Sequence, residues 1–128
     1  MIWTGGGYKD VEYLEADVHA PDAFWSTPNA DRSGGCGAGK FGDIFIPDTL
    51  WGLAVNGLCQ IHDFQYGAGV SEDDRAAADR TLRNNLFRWI EYATSNRTLR
   101  WLRKRRAIKY YKAVRMFGGP AFWNDKQG

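Results

Sequence analysis

The sequence predicts a mostly α-helical fold, and three observations carry that expectation. Apolar residues recur at helical spacing in two segments, Leu50/Ala54/Leu58/Ile61 and Leu82/Leu86/Ile90/Ala93. Helix punctuation surrounds them: Pro47 and Asp48 before the first, Ser71-Glu72-Asp73-Asp74 before the second, Gly118-Gly119-Pro120 after a third. No segment alternates well enough to be a core strand. The expected class is all-α: two long antiparallel helices, a glycine-rich loop ahead of them, and a basic C-terminal helix.

At 128 residues, 44% apolar and 25% charged, the chain is read as a single domain, 1–128. It can bury roughly two-thirds of its unfolded surface, and the balance excludes global disorder. The most apolar central stretch, 44–61, contains Pro47, Asp48 and two glycines, so it is no membrane span.

In chain order, the first 45 residues, which include the irregular N-terminal segment 1–33, are rich in Gly, Pro, Asp and Asn, with short apolar pieces at 11–14 and 23–25. They read as irregular chain with at most one short helix. Segment 34–94 opens with seven residues of extreme glycine content from Gly34 to Lys40, then Phe41 and Gly42, where the backbone must turn sharply or approach something closely. A helix starts at Pro47 or Asp48 and stops at Gly67 or Gly69. The next runs from the Ser71 cap to about Thr94, the third over about 97–117 within the basic segment 95–128.

Charge is distributed unevenly. Residues 1–95 hold 7 Lys/Arg against 14 Asp/Glu, net −7, while 96–128 hold 10 against 1, net +9. An acidic body with a cationic C-terminal surface suits an anionic partner, or a helix face that pairs with the body itself. The two cysteines, Cys36 and Cys59, are too few for a disulfide scaffold or a thiolate zinc site. Paired, they would close a loop worth roughly 3 kcal/mol in the chain-entropy model; unpaired, they are small buried hydrophobes. Composition leaves both readings open.

Cys59, His62, Asp63 and Tyr66 occupy positions i, i+3, i+4 and i+7, one helix face about 100° wide. In the following helix Asp79 shares a stripe with Leu82, Leu86 and Ile90, where an unpaired carboxylate costs several kcal/mol. Arg83, one turn on, is the local partner. His62 and Tyr66 are the distant ones, reached if the two helices pack antiparallel; an Asp in that position fixes the imidazole tautomer. Asp63 stands beside His62. Calcium accepts backbone carbonyls as ligands at about 2.3–2.6 Å, and the glycine-dense loop could turn carbonyls inward. A Cys36–Cys59 bridge, if formed, would pin that loop to the His62/Asp63 turn.

Cys36-Gly37-Ala38-Gly39 followed by Cys59-Gln60-Ile61-His62-Asp63-Phe64-Gln65-Tyr66 resembles the secreted phospholipase A2 superfamily, with its Cys-Gly-x-Gly calcium loop and active-site helix. The His-Asp-Phe-x-Tyr wording is most similar to the small bacterial and fungal branch, and the likeness spans about residues 34–90. The resemblance implies a calcium-dependent hydrolase of the sn-2 ester of glycerophospholipids. His62 would activate water, Asp79 would orient His62, and Tyr66 would support that network. Asp63 and the carbonyls of Gly35, Gly37 and Gly39 would ligate calcium, the Gly37 N–H would face the oxyanion, and Cys36–Cys59 would match the family's loop-to-helix disulfide. Animal members usually carry an aromatic at position 35 and a second cysteine at position 58, where this chain has Gly35 and Leu58; many also carry five or more disulfides.

A bridge and a calcium site argue for a secreted or otherwise exported protein. The N-terminal Met-Ile-Trp-Thr-Gly-Gly-Gly shows no secretory signal, so the expected routes are a removed pre-segment, a phage particle or a toxin system. Nine cations and no acid lie between Arg97 and Arg115, with aromatic and aliphatic residues interleaved. The first expectation is docking to an anionic phospholipid surface through Trp101, Arg103, Lys104, Arg105 and Arg106, with Trp123 a further aromatic candidate and the other tryptophans in the core. Self-pairing with the acidic body comes second and nucleic acid third, and no obligate protein partner is expected. The rival functions are a noncatalytic membrane-binding or membrane-disrupting module on the same scaffold, and a basic nucleic-acid-binding domain.

Overall fold

The structure, a computed structural model, describes residues 8–28, 49–123 and 126. The glycine-dense segment 34–42, with Gly35, Cys36, Gly37 and Gly39, lies outside them, as does Ile46-Pro47-Asp48. The described chain is mostly helical: α1 (Tyr8–Glu15), α2 (Asp22–Ser26), a two-stranded hairpin of β1 (Thr49–Leu50) and β2 (Leu53–Ala54), then α3 (Asn56–Ala68), α4 (Glu72–Ala93), α5 (Arg97–Phe117) and α6 (Gly119–Trp123).

Helix α4 is the axis of the fold, packing against α3 on one side and α5 on another. It starts where the sequence predicts. The Ser71 hydroxyl accepts from the Asp74 N–H at 3.1 Å, and the Asp74 carboxylate accepts from the N–H groups of Ser71 and Val70 at 3.2 and 2.9 Å. Asn96 caps α5 in the same way, accepting from the Leu99 N–H at 2.9 Å. The core face of α4 carries Ala78, Leu82, Leu86, Trp89 and Ile90, all buried, against Leu58 and Ile61 of α3, and Ala107 and Val114 of α5. The periodic stripe ends one turn early: Ala93 is exposed, and Thr94 is buried in its place.

The helix expected from Pro47 or Asp48 begins later, at Asn56, and Leu50 and Ala54 belong to the hairpin instead. Thr49 pairs with Ala54 and Leu50 with Leu53. The two connecting residues, Trp51 and Gly52, have φ of 47° and 83°, the doubly left-handed turn that matches the twist of a two-residue hairpin. Gly52 takes that conformation without strain; a helix could not pass through it. The hairpin's outward carbonyls are satisfied from other elements. Trp89 Nε1 donates to the Ala54 carbonyl at 2.9 Å, the Tyr110 hydroxyl to Thr49 at 3.0 Å, and Arg103 Nε and Nη2 to Leu50 and Trp51 at 3.1 and 2.9 Å. These tertiary bonds offset the weakness of so short a ribbon.

Residues 8–28 hold two helices where at most one was expected. Neither is long enough to be stable alone; each is kept by what it docks. Tyr13 of α1 meets Trp89 edge to face at 4.7 Å, and Phe24 of α2, 1% exposed, meets Phe64 at 5.7 Å. The connector between them is stapled to α4 by the buried Asn85, whose Oδ1 accepts from the His19 N–H at 2.8 Å while its Nδ2 donates to the His19 carbonyl at 2.7 Å. Asn85→Ala should therefore destabilise the chain by about 1–3 kcal/mol, read as a lower urea midpoint. A midpoint equal to wild type would mean that the staple contributes nothing.

Candidate functional site

The site is built where α3 and α4 run back past each other. Gly69 to Ser71 reverse the chain, so His62 before the reversal and Asp79 after it, about equally far from Val70, come level. His62 Nε2 lies 2.7 Å from Asp79 Oδ1, and the Tyr66 hydroxyl donates to the same oxygen at 2.6 Å. Asp79 is fully buried and His62 is 2% exposed. Of the partners open to Asp79 from the sequence, the distant pair is the one formed. Arg83, the local alternative, donates to the Asn84 side chain at 3.2 Å and lies over the Tyr111 ring. The intrahelical ion pair of Asp79 runs the other way along α4, to Arg75 at 3.7 Å.

Asp79 Oδ2 accepts from Arg115 Nη1 of α5 at 2.7 Å. Burial alone would push this carboxyl up, but hydrogen bonds from His62, Tyr66 and Arg115 outweigh it and hold the group below the usual carboxylate range. The carboxylate is therefore ionised at neutral pH. An anionic acceptor at Nε2 selects the Nε2–H tautomer and places the basic lone pair of His62 on Nδ1. The Tyr66 phenol is raised far above its ordinary value, by burial first and by its bond to Asp79 second, so it stays a donor.

The walls of the site come from the C-terminal segment. The Tyr66 ring is 4.1 Å from that of His62 and meets Phe122 of α6 edge to face at 5.1 Å. A Cβ on Gly118 would stand 2.5 Å from the Val114 carbonyl oxygen and 2.6 Å from the Tyr66 hydroxyl, so the α5–α6 junction needs glycine beside the phenol. Arg75, 9% exposed, closes the far side: Nε is held by Glu72 at 2.9 Å, and Nη1 and Nη2 donate to the carbonyls of Val114 and Arg115 at 3.2 and 3.4 Å. None of Arg75, Arg115, Gly118 and Phe122 was singled out from sequence for this site. Arg115 was visible only as one of nine cations, although it directly follows Val114 on the buried edge of α5.

Asp63 follows His62 on α3 and is half-buried. Cys59, one turn before His62, is 6% exposed and is not a free thiol. Gly35, Cys36, Gly37 and Gly39 belong to the segment outside the described residues. Among the described residues no group of three or more His, Cys, Asp or Glu side chains converges on a metal position.

The cations of α5 divide into two sets. Arg103 faces inward, bonding the hairpin carbonyls and donating to Thr94 Oγ1 at 2.7 Å. Lys104 pairs with Glu91, which also has Arg100 at 3.6 Å, so part of the helix does pair with the acidic body. Arg105 instead lies over the ring of Trp101, 57% exposed, and Arg106 over that of Trp51, 52% exposed. Of the described tryptophans expected in the core, Trp89 is buried, Trp25 is half-buried against the core, and Trp51 is exposed. Trp123 is half-buried, its Nε1 donating to Glu72 at 3.1 Å. Comparison with family models, curated proteins and solved structures finds no match for the chain.

Proposed function

We propose that this chain is a calcium-dependent phospholipase A2, hydrolysing the sn-2 acyl ester of glycerophospholipids with a His-Asp pair and an activated water. The observation that carries the reading is the shared acceptor: His62 and Tyr66 both meet Oδ1 of a buried, ionised Asp79, and Asp63 is the next residue to His62. In this reading His62 Nδ1 takes a proton from the water as its oxygen adds to the ester carbonyl. The same proton passes to the lysophospholipid oxygen as the C–O bond breaks and the fatty acid leaves. Asp79 holds the ring in the required tautomer and stabilises the imidazolium between those steps; Tyr66 supports that network with a second hydrogen bond to the same oxygen.

The donor chemistry at Asp63 fits calcium, a hard cation that takes carboxylate and carbonyl oxygens. The other ligands we assign to the backbone carbonyls of Gly35, Gly37 and Gly39, oxygens of the kind that calcium accepts. Bound there, calcium would supply positive charge against the oxyanion, alongside the N–H of Gly37. Cys36 is the only other cysteine in the chain, and we assign it as the disulfide partner of Cys59, tying the glycine loop to α3 one turn before His62. A bridge in that role suits an oxidising, exported setting.

We assign the outward face of α5 to an anionic phospholipid surface, with Trp101, Arg105, Ile108, Lys109 and Lys112 exposed along it. No helix among the described residues is long and apolar enough to cross a membrane. Fatty-acid release from mixed anionic vesicles tests the reading. Wild type with calcium should release fatty acid, while chelator, Asp63→Asn and His62→Gln should each lower the rate by about a hundredfold or more. Equal release in all arms, or none from wild type, would reject hydrolysis, and vesicle binding without turnover would favour the noncatalytic module.

A further inference from the structure

Asp79 has two oxygens and the site loads them differently. Oδ1 serves α3, taking His62 and Tyr66 at 2.7 and 2.6 Å. Oδ2 serves α5, with Arg115 Nη1 at 2.7 Å and, from α4, Arg75 Nη1 at 3.7 Å. His62, Tyr66, Arg75 and Arg115 are the titratable or charged side chains that face this carboxylate from α3, α4 and α5. Held only through Oδ1, a carboxylate can still rotate about its Cβ–Cγ bond and tilt that oxygen out of the imidazole plane. A second, charged bond at Oδ2 removes that freedom.

Arg115 is itself well fixed for the task. Its backbone carbonyl and that of Val114 both accept from the Arg75 guanidinium, which is anchored in turn on Glu72. The Gly118 N–H closes the end of α5 onto Val114 at 2.9 Å. Arg75 thus sets the backbone, and Arg115 makes the short contact with the carboxylate. The Arg115 side chain is 31% exposed, so it spans from solvent to a buried acid rather than filling the core.

We propose that Arg115 is a positioning residue for the His62–Asp79 pair, holding Oδ2 so that Oδ1 stays aimed at His62 and Tyr66. The proposal takes from the hydrolase reading only that His62 is the working base, and it places the end of the basic helix inside the site. A purely structural Arg115 would stabilise the fold without affecting the imidazole bond.

The test uses the full chain as wild type, Arg115→Gln and Arg115→Lys, each first shown to be folded by a cooperative thermal transition. Nitrogen-15 and proton NMR of the His62 ring should show an Nε2–H tautomer with a strongly hydrogen-bonded ring proton in wild type. Arg115→Gln should move that proton toward the position of a solvent-bonded imidazole, and Arg115→Lys should restore part of the shift. On vesicles, kcat should fall about tenfold or more in Arg115→Gln with KM little changed. A folded Arg115→Gln with an unchanged ring proton and unchanged kcat would overturn the proposal. If Arg115→Gln does not fold, an Arg115→Lys indistinguishable from wild type in both readouts overturns it equally. Should wild type release no fatty acid, the hydrolase reading fails alone, and the ring proton still decides the role of Arg115.

Discussion

Asp79→Asn should abolish most turnover, lowering kcat on phospholipid vesicles by roughly three to four orders of magnitude. Three donors converge on this side chain: His62, Tyr66 and Arg115, with Arg75 a little farther. An amide offers one acceptor and one donor where the carboxylate offers two acceptors. If its oxygen turns to Arg115, its NH₂ faces His62, whose Nε2 must then accept and whose proton moves to Nδ1. That is the atom the proposed hydrolysis uses as its base. If its oxygen stays on His62, the NH₂ abuts the Arg115 guanidinium and the end of α5 must shift. Either way the pair is lost although the shape is nearly conserved. A kcat within tenfold of wild type would rule out Asp79 as the orienting acid.

The same carboxylate gives acid sensitivity a definite sign. The folded-state group lies below the usual carboxylate range, because bonds from His62, Tyr66 and Arg115 outweigh burial. Its contribution to stability is therefore complete above the unfolded value of about 4 and is lost as pH falls through the lower folded value. The urea midpoint of wild type should drop in that acid window, and Asp79→Asn, less stable at neutral pH, should drop less there.

Trp89→Ala should be among the most damaging single changes in the core, costing about 3–5 kcal/mol. The indole is 3% exposed, meets Tyr13 at 4.7 Å, and donates from Nε1 to the Ala54 carbonyl. Its removal opens a cavity between α1 and α4 and strips the hairpin of one of its tertiary bonds at once. Trp101→Ala makes the control, since a side chain 57% exposed should cost within about 0.5 kcal/mol. Thermal unfolding should show Tm lower by about 10 °C or more for the first and nearly unchanged for the second. Equal Tm values would mean that the α1 contact and the hairpin bond contribute little to the fold.

Where local chemistry decides, the sequence was readable. Ser71 and Asp74 satisfy each other's backbone groups whatever lies around them, so the start of α4 was visible. The limits of α5 were visible in Arg97 and in Gly118 for the same kind of reason. His62, Asp63 and Tyr66 fall on one face because a helix has 3.6 residues per turn, and a carboxylate on an apolar stripe demanded a partner. The hairpin was missed because Leu50, Ala54, Leu58 and Ile61 happen to satisfy a helical period, while the Trp51-Gly52 turn is legible only once its left-handed backbone is known. Helices α1 and α2 form where at most one short helix was expected because they owe their stability to Trp89, Phe64 and Asn85, far away along the chain.

The sequence by itself determined three helices, their polarity and the set of reactive side chains on α3, since periodicity and capping act over a few residues. Only the tertiary structure decided which base or cation each acid meets. Asp79 could have closed on Arg83 within its own helix; it meets His62, Tyr66 and Arg115 because α3 and α5 both pack against the same turn of α4. The split of the α5 cations, Arg103 and Lys104 turned onto protein and Arg105 and Arg106 stacked on exposed indoles, was decided the same way. Charge is a property of composition, but the energy of a charge depends on the distance and burial of its partner, and those are properties of packing.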